Sequence, residues 1–523
     1  MGTREALSES RRLDCIVLSE DSTDAKMAKR SRKIDCDSLA PVERVLAYSP
    51  RKSMVVPKRT APDRRREGPI PSARVRQARE RAISYLVDQR VEHRRSPDGR
   101  IVGIQSSLSL KDTGEAAIPL YEFVDGVVSG ANNAESGFSV RDSLRETWQC
   151  IADEVLARFG FPLEAELFSN MLFVALVGVV DHPRLRSIAR ALLSTFRHSH
   201  ACGLYHFFTS LRFACDIDCT GVAAKARLVM GDIDLLSPRG VQELRRITDR
   251  ILRSAAICDL PGEANRSHGK DNGPLRRNVF KVYVDDHQVQ GAEMDRGLKN
   301  NPVAVANALI PVLIELSTGN RQLDEVIPLR EYPGEGQNVR TGRATVAEIV
   351  AMNVAYVTGY FLSGDWQQGC RYYGSPDAFL CFYTELIREF EELAKMFGIP
   401  ALLVDAIDER RRSNGQGIAD PTSSLNLSLR AIAAGNLGVD RSCEIEQLLY
   451  QQGRDGGWSD FGALYALGSN KGPRIYFGST AQTTAFAIRA LAPTPSAFKC
   501  TLHQDPRWPQ IVSDALLRGA SSS

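Results

Sequence analysis

The sequence predicts an all-α protein: a single α/α-barrel behind a disordered, basic N-terminal tail. Three observations predict it. About twelve segments carry apolar residues at helical spacing, and almost none reads as a convincing strand, far from the usual mix. Some of those segments are apolar all round and others are amphipathic, as inner and outer rings of helical hairpins require. Residues 1–70 alternate charge clusters with Ser and Pro and offer no face to bury. The expected division is therefore a tail over 1–70 and a barrel over 71–523. A linear helical solenoid is the alternative arrangement of the same helices.

The helical signal begins near residue 73. Ala73–Val91 places Val75, Ala78, Ala82, Ile83, Leu86 and Val87 on one side. Val140–Phe159, Leu163–Val180 and Pro183–Phe196 follow, the last with Pro in a first-turn position. Gly221–Met230 and Gly240–Ala256 come next. Residues 257–300 read as a long connection with one short β-like run, Val279–Val284. Pro302–Leu316 is apolar nearly all round and reads as buried. Thr345–Phe361 is amphipathic. Ser375-Pro376-Asp377 is a compact helix start: a capping hydroxyl, Pro at the first position and an acid in the first turn. Leu425–Ala434, Cys443–Gln452, Thr480–Leu491 and Pro509–Leu517 complete the series.

Charge and composition exclude several classes. The net charge is +3, too small to argue for nucleic acid. Residues 1–80 hold 19 Lys+Arg against 12 Asp+Glu, so a basic tail precedes a mildly acidic body. Such a tail suits peripheral contact with an anionic membrane surface. No apolar h-region opens the chain, and the 11 cysteines form no CxxC pair. A cytoplasmic protein with free thiols is expected. The longest apolar run, Met171–Val180, falls short of the roughly 18 residues that span a bilayer.

One segment points to chemistry. Phe213-Ala214-Cys215-Asp216-Ile217-Asp218-Cys219-Thr220-Gly221 joins an apolar stretch to a helix start. Capping by Asp218 or Thr220 accounts for it without any function. Acid catalysis accounts for it too. Protonating a carbon–carbon double bond needs a carboxylic acid that keeps its proton. A second carboxylate nearby helps, since two like charges will not both ionise in a dry pocket.

These residues resemble the class II terpene cyclases, which carry an Asp-X-Asp-Asp-Thr-Ala segment whose middle Asp donates the proton. Asp216, Asp218 and Thr220 match it. Cys219 departs from it toward the Asp-Cys-Thr-Ala of oxidosqualene cyclases, and Gly221 replaces Ala. A second match is Gln451-Gln452-Gly453-Arg454-Asp455-Gly456-Gly457-Trp458, followed by Tyr476-Phe477-Gly478-Ser479-Thr480. It is similar to the glutamine–tryptophan repeat of those enzymes, a structural element. A weaker match is Asn307 within the apolar run Asn301–Leu316, where a buried Asn either lines the cavity or bonds a neighbouring carbonyl.

The resemblance implies cyclisation of an isoprenoid, a C15–C20 prenyl diphosphate, by protonation. Asp218 is the implied acid, with Asp216 and Cys219 as its hydrogen-bonding neighbours and Thr220 as a cap on the turn. Phe207, Phe208, Tyr373, Phe379, Trp458, Tyr476 and Phe477, with Asn307, are candidates for lining the substrate cavity, the aromatics through cation–π attraction. Mg2+ would assist diphosphate binding only.

Zinc is not expected, because Asp218 and Cys219 are adjacent and lack the ligand spacing of protein prenyltransferases. Asp285-Asp286-His287 does not make the ionising motif of class I synthases. Glu20-Asp21-Ser22-Thr23-Asp24 resembles a magnesium-associated motif of some diterpene cyclases but falls in the tail. The stretch before Asp216 reads as too short for the complete second helical domain many such cyclases carry. A non-catalytic barrel that binds a lipid or protein partner, and a prenyltransferase-like enzyme, are the rival readings.

Overall fold

The computed structural model describes residues 72–87, 166–199, 203–208, 213–261, 274–284, 296–331, 338–389, 398–468 and 474–495, with short pieces between them. The expected tail, the helix over Val140–Phe159 and the helix over Pro509–Leu517 lie wholly or largely outside these residues. So do the acidic motifs at 20–24 and 285–287.

Twelve α-helices fall among the described residues: α1 Ser72–Val87, α2 Phe168–Val177, α3 Pro183–Leu193, α4 Ile217–Val229, α5 Pro238–Arg253, α6 Pro302–Ser317, α7 Val346–Leu362, α8 Pro376–Glu389, α9 Ile399–Arg412, α10 Ser424–Asn436, α11 Ser442–Gln451 and α12 Thr480–Leu491. The even-numbered helices pack in sequence, α2 on α4, α4 on α6, α6 on α8, α8 on α10 and α10 on α12. Helix α12 then packs back on α2 and closes a ring of six. The odd-numbered helices lie outside it: α3 on α2, α5 and α7 on α6, α9 on α8, α11 on α10, and α1 on α12. The closed ring excludes the linear solenoid among the described residues.

Burial follows the sequence. All ten residues of α2 are buried, as are all of α6 except its last. Outer helix α3 buries only Leu185, Ile188, Ala189 and Leu192, one stripe at helical spacing. Helix starts follow local chemistry. Thr345 and Glu348 form a capping box at α7. Asn301 and Ser423 accept backbone N–H groups at α6 and α10. Ser375 Oγ accepts from the Asp377 amide at 3.1 Å ahead of α8.

Strands are more numerous than the sequence suggests. They include β1 Ser107–Ser109, β2 Ile118–Pro119, β3 Tyr205–His206, β4 Cys215–Asp216, β5 Val326–Glu331, β6 Arg340–Thr345, β7 Tyr465–Gly468 and β8 Arg474–Gly478. Strands β5 and β6 form an antiparallel hairpin, and β7, β8, β1 and β2 make a four-stranded antiparallel sheet in that order. Strand β5 alternates exposed and buried residues, the period-2 pattern of a half-buried strand.

The glutamine–tryptophan segment fastens the ring where it closes. Gln452 Nε2 donates to the carbonyls of Ala78 and Gly456, both at 2.8 Å. The fully buried Trp458 donates its indole N–H to the Leu448 carbonyl at 3.0 Å, at the end of α11. Gly456 has φ +99°, and a Cβ there would strike the Arg81 carbonyl on α1. Gly456→Ala is therefore expected to lower the unfolding free energy by more than about 1 kcal/mol, measured by urea denaturation. Gly319→Ala, at φ +73° with open space around it, serves as the comparison for backbone strain alone.

Candidate active site

The acid segment is held by a short hairpin. Strand β4 pairs with β3, Tyr205 opposite Asp216 and His206 opposite Cys215. On its other edge Asp216 bridges to Tyr283, and the Ile217 amide donates to the Val282 carbonyl at 2.9 Å. The β-like run Val279–Val284 therefore forms single bridges rather than a named strand. Asp216 sits between two extended segments and is the N-cap of α4, its Oδ1 accepting the Cys219 amide at 2.6 Å.

The cap is thus Asp216, and the expected capping by Asp218 or Thr220 is corrected. Helix α4 begins at Ile217, so Asp218 falls in its first turn and points elsewhere. Thr220 still ties the turn. Its hydroxyl donates to the Asp216 carbonyl at 2.6 Å and accepts from the Tyr205 amide at 3.0 Å.

Asp218 has partners other than those expected. Its Oδ1 accepts Nδ2 of Asn307, from α6, at 2.8 Å. Its Oδ2 accepts the phenol of Tyr373, just before α8, at 2.7 Å. Cys219 instead shares hydrogen bonds with Asp216 through both amide and thiol. Three neighbouring inner-ring elements therefore converge on one carboxyl.

Burial governs the ionisation of the pair. Asp216 is pushed up to about 7, first by burial and then by the charge of Asp218, against the Cys219 hydrogen bonds. Asp218 is pushed up to about 6 by burial, opposed by the Tyr373 and Asn307 hydrogen bonds. Burial likewise holds the Cys219 thiol and the Tyr373 phenol far above their usual ranges, so both stay protonated. A buried acid that holds its proton well above the usual carboxylate range, with two donors ready for the anion, is what proton donation to a weak base requires.

The other candidates separate into groups. Phe207, Phe208 and Phe477 join Phe168, Phe213 and Tyr465 in one aromatic cluster, with ring centroids 4.8 Å apart for Phe207–Phe208 and 5.3 Å for Tyr465–Phe477. Phe213 meets Tyr283 at 5.9 Å and Tyr283 meets Tyr372 at 6.2 Å, which carries the cluster to the residue beside Tyr373. Phe379 packs instead with Tyr360 and Tyr383 between α7 and α8. Trp458 is engaged in the ring-closing turn. Tyr476 is half-buried, on the opposite face of β8 from Ile475 and Phe477.

Sequence reasoning missed Tyr283 and Tyr465. The ring of Phe382 lies 5.5 Å from that of Tyr373. The usable signal for Tyr283 was the apolar run around it.

Gly221 explains its own departure from Ala. A Cβ there would lie 2.5 Å from the Asn307 carbonyl oxygen and 2.8 Å from the Ala308 Cα. Helices α4 and α6 touch backbone to backbone at this point, which brings the Asn307 amide within reach of Asp218.

No protein-family model matches the chain. A drimenol cyclase, drtB, of Aspergillus calidoustus is 31% identical over 142 residues, which make up 27% of this chain and 25% of that protein. The chain is thus similar in sequence to a terpene cyclase, the class its acid segment resembles, over about a quarter of that curated relative.

A solved structure of the type II terpene cyclase MstE from Scytonema, in complex with geranylgeranyl dihydroxybenzoate as substrate, overlays 80% of this chain and 97% of its own. The overlay has 11% identity and a TM-score of 0.41. A protein from Actinoplanes overlays 80% of this chain and 98% of its own at 12% identity and a TM-score of 0.42. Overlays at this level carry no weight for the reaction.

Gly221→Ala is expected to force α4 and α6 apart at a cost of about 1–3 kcal/mol in denaturant unfolding. Unchanged stability would overturn the close-approach account of this glycine.

Proposed function

We propose that the chain is a class II-type terpene cyclase that protonates a double bond of an isoprenoid, with Asp218 as the general acid. The observation that carries this reading is the Asp218 carboxyl itself: buried, beside a second buried acid, with Asn307 and Tyr373 each donating to one of its oxygens. Each oxygen keeps a further lone pair, so the acidic proton has a place outside those two bonds.

In the proposed first step the Asp218 O–H bond breaks and a C–H bond forms at one end of the alkene. The cation left at the other end is attacked by the next double bond, which closes a ring. The last cation loses a proton, and Asp218 is reprotonated from solvent. Asn307 and Tyr373 stabilise the carboxylate during the lifetime of the cation. The cap at Asp216 fixes the turn that aims Asp218. Rings such as Phe382, Tyr372 and Tyr283 offer π-faces to the positive charge.

The substrate we propose is a prenyl diphosphate of fifteen or twenty carbons, kept intact at its diphosphate and bound with magnesium. Similarity to a drimenol cyclase supports an isoprenoid substrate. The test is incubation with farnesyl and geranylgeranyl diphosphate, with and without chelator, followed by product analysis beside Asp218→Asn. Wild-type enzyme is expected to yield a cyclic product with the diphosphate retained. Asp218→Asn is expected to lose about 10²–10⁴-fold in rate. Product formation undiminished in that variant removes Asp218 as the donor. The absence of product from every isoprenoid tried favours the lipid- or protein-binding barrel.

The pH dependence has a definite sign. The donating form is the protonated acid, populated below the folded-state pKa and lost above it. Turnover by the wild type is expected to fall as pH rises through about 6 to 7. A rate that climbs across that window would contradict acid catalysis by this pair.

A further inference from the structure

Helix α4 carries Asp218 at its start and Lys225 and Val229 at its end. A second feature of the ring lies toward that far end. A cavity of about 70 Å³ is lined by residues from all six inner helices. One part of its wall is apolar, with Leu172, Leu176, Ile310, Phe382, Ile432 and Phe486 among its members. The rest is charged: Lys225, Arg388 and Arg489 against Glu385 and Glu389.

Two of the three cations are committed. Lys225 pairs with Glu385. Arg388 pairs with Glu389 at 2.9 Å and donates to Asn436 at 2.9 Å. Arg489 feels the charge of Glu385 but makes no salt bridge among the described residues. It is 5% exposed, yet its guanidinium makes only one hydrogen bond among the described residues, a long one of 3.4 Å to the Pro493 carbonyl. A guanidinium presents five donors in a planar fork suited to oxyanions.

We propose that this cavity is an oxyanion-binding site, with Arg489 as its principal ligand, Arg388 beside it, and a phosphate-class anion as its occupant. Inorganic phosphate and the phosphate of an organic ester share the chemistry that this fork recognises. The volume has room for a few waters at roughly 10–15 Å³ each, hence for one anion of this size. Burial also pushes the Arg489 guanidinium down to about 10, opposed by the charge of Glu385. A bound anion relieves the same penalty. The carbonyl ends of the inner helices attract cations too, and they are the competing explanation for Arg489.

The test is isothermal titration of the full chain with inorganic phosphate and with a short-chain alkyl phosphate, at ionic strength matched with sodium chloride. Saturable binding of one anion per chain is expected, at least about tenfold weaker in Arg489→Gln and in Arg388→Gln. Tighter binding of the alkyl ester identifies an organic phosphate as the occupant, and tighter binding of inorganic phosphate identifies the free anion. The Asp218→Asn variant is expected to bind as the wild type does, which separates this site from the acid.

No saturable heat from either anion, or undiminished binding in Arg489→Gln, overturns the proposal and leaves Arg489 serving the helix ends. Should Arg489→Gln fail to fold, the wild-type titration and Arg388→Gln give the same reading. The readout needs no turnover, so failure of the cyclase reading does not decide it.

Discussion

The backbone contact between α4 and α6 at Gly221 sets the geometry on which the site depends. Side chains on two packed helices normally meet across 8–10 Å between axes. A residue without Cβ lets the two backbones come closer, here at the Asn307 carbonyl. One short amide then suffices to reach across to Asp218. The same carboxyl is buried, so the donor meets it in dry surroundings.

Dryness and donors act in opposite directions on the acid. Burial favours the protonated form, and the hydrogen bonds from Tyr373 and Asn307 favour the anion. Their balance leaves Asp218 near neutrality, where an acid can both hold a proton and part with it. Asp216 is pushed up first by burial and then by the charge of Asp218, although it caps a helix. Its role in the turn is mechanical as much as electrostatic: it fixes where α4 starts, and so which way Asp218 faces.

Much of the ring was legible in the sequence, because inner helices α2 and α6 are apolar on every side and outer helices such as α3 are striped. The acid segment was legible from residue types alone. Its register was not: the chain offers Asp216, Asp218 and Thr220 as caps within five residues, and only the pairing of β4 with β3 selects the first. Tyr373 was named as an aromatic, but its bond to Asp218 spans 155 residues, beyond any local pattern. Helix α9 was overlooked although Ile399, Leu403, Ala406 and Ile407 form a regular stripe. Its end, Arg410-Arg411-Arg412, reads as a solvated run, yet Arg410 is buried against Asp377 at 2.8 Å. The short strands β7 and β8 were hidden by Gly-rich surroundings; they pair with each other, and β8 finds its second partner, β1, far along the chain.

The ring-closing turn has a consequence for the order of assembly. Gln452 grips the carbonyl of Ala78 across 374 residues of sequence. At roughly 5–20 residues per second of synthesis, α1 waits about 20–75 s for this grip, with only α3 to pack on before then. Until then the apolar stripe of Ala78, Ala82, Ile83 and Leu86 has no native neighbour on α12. Segments made late therefore seal a helix made early.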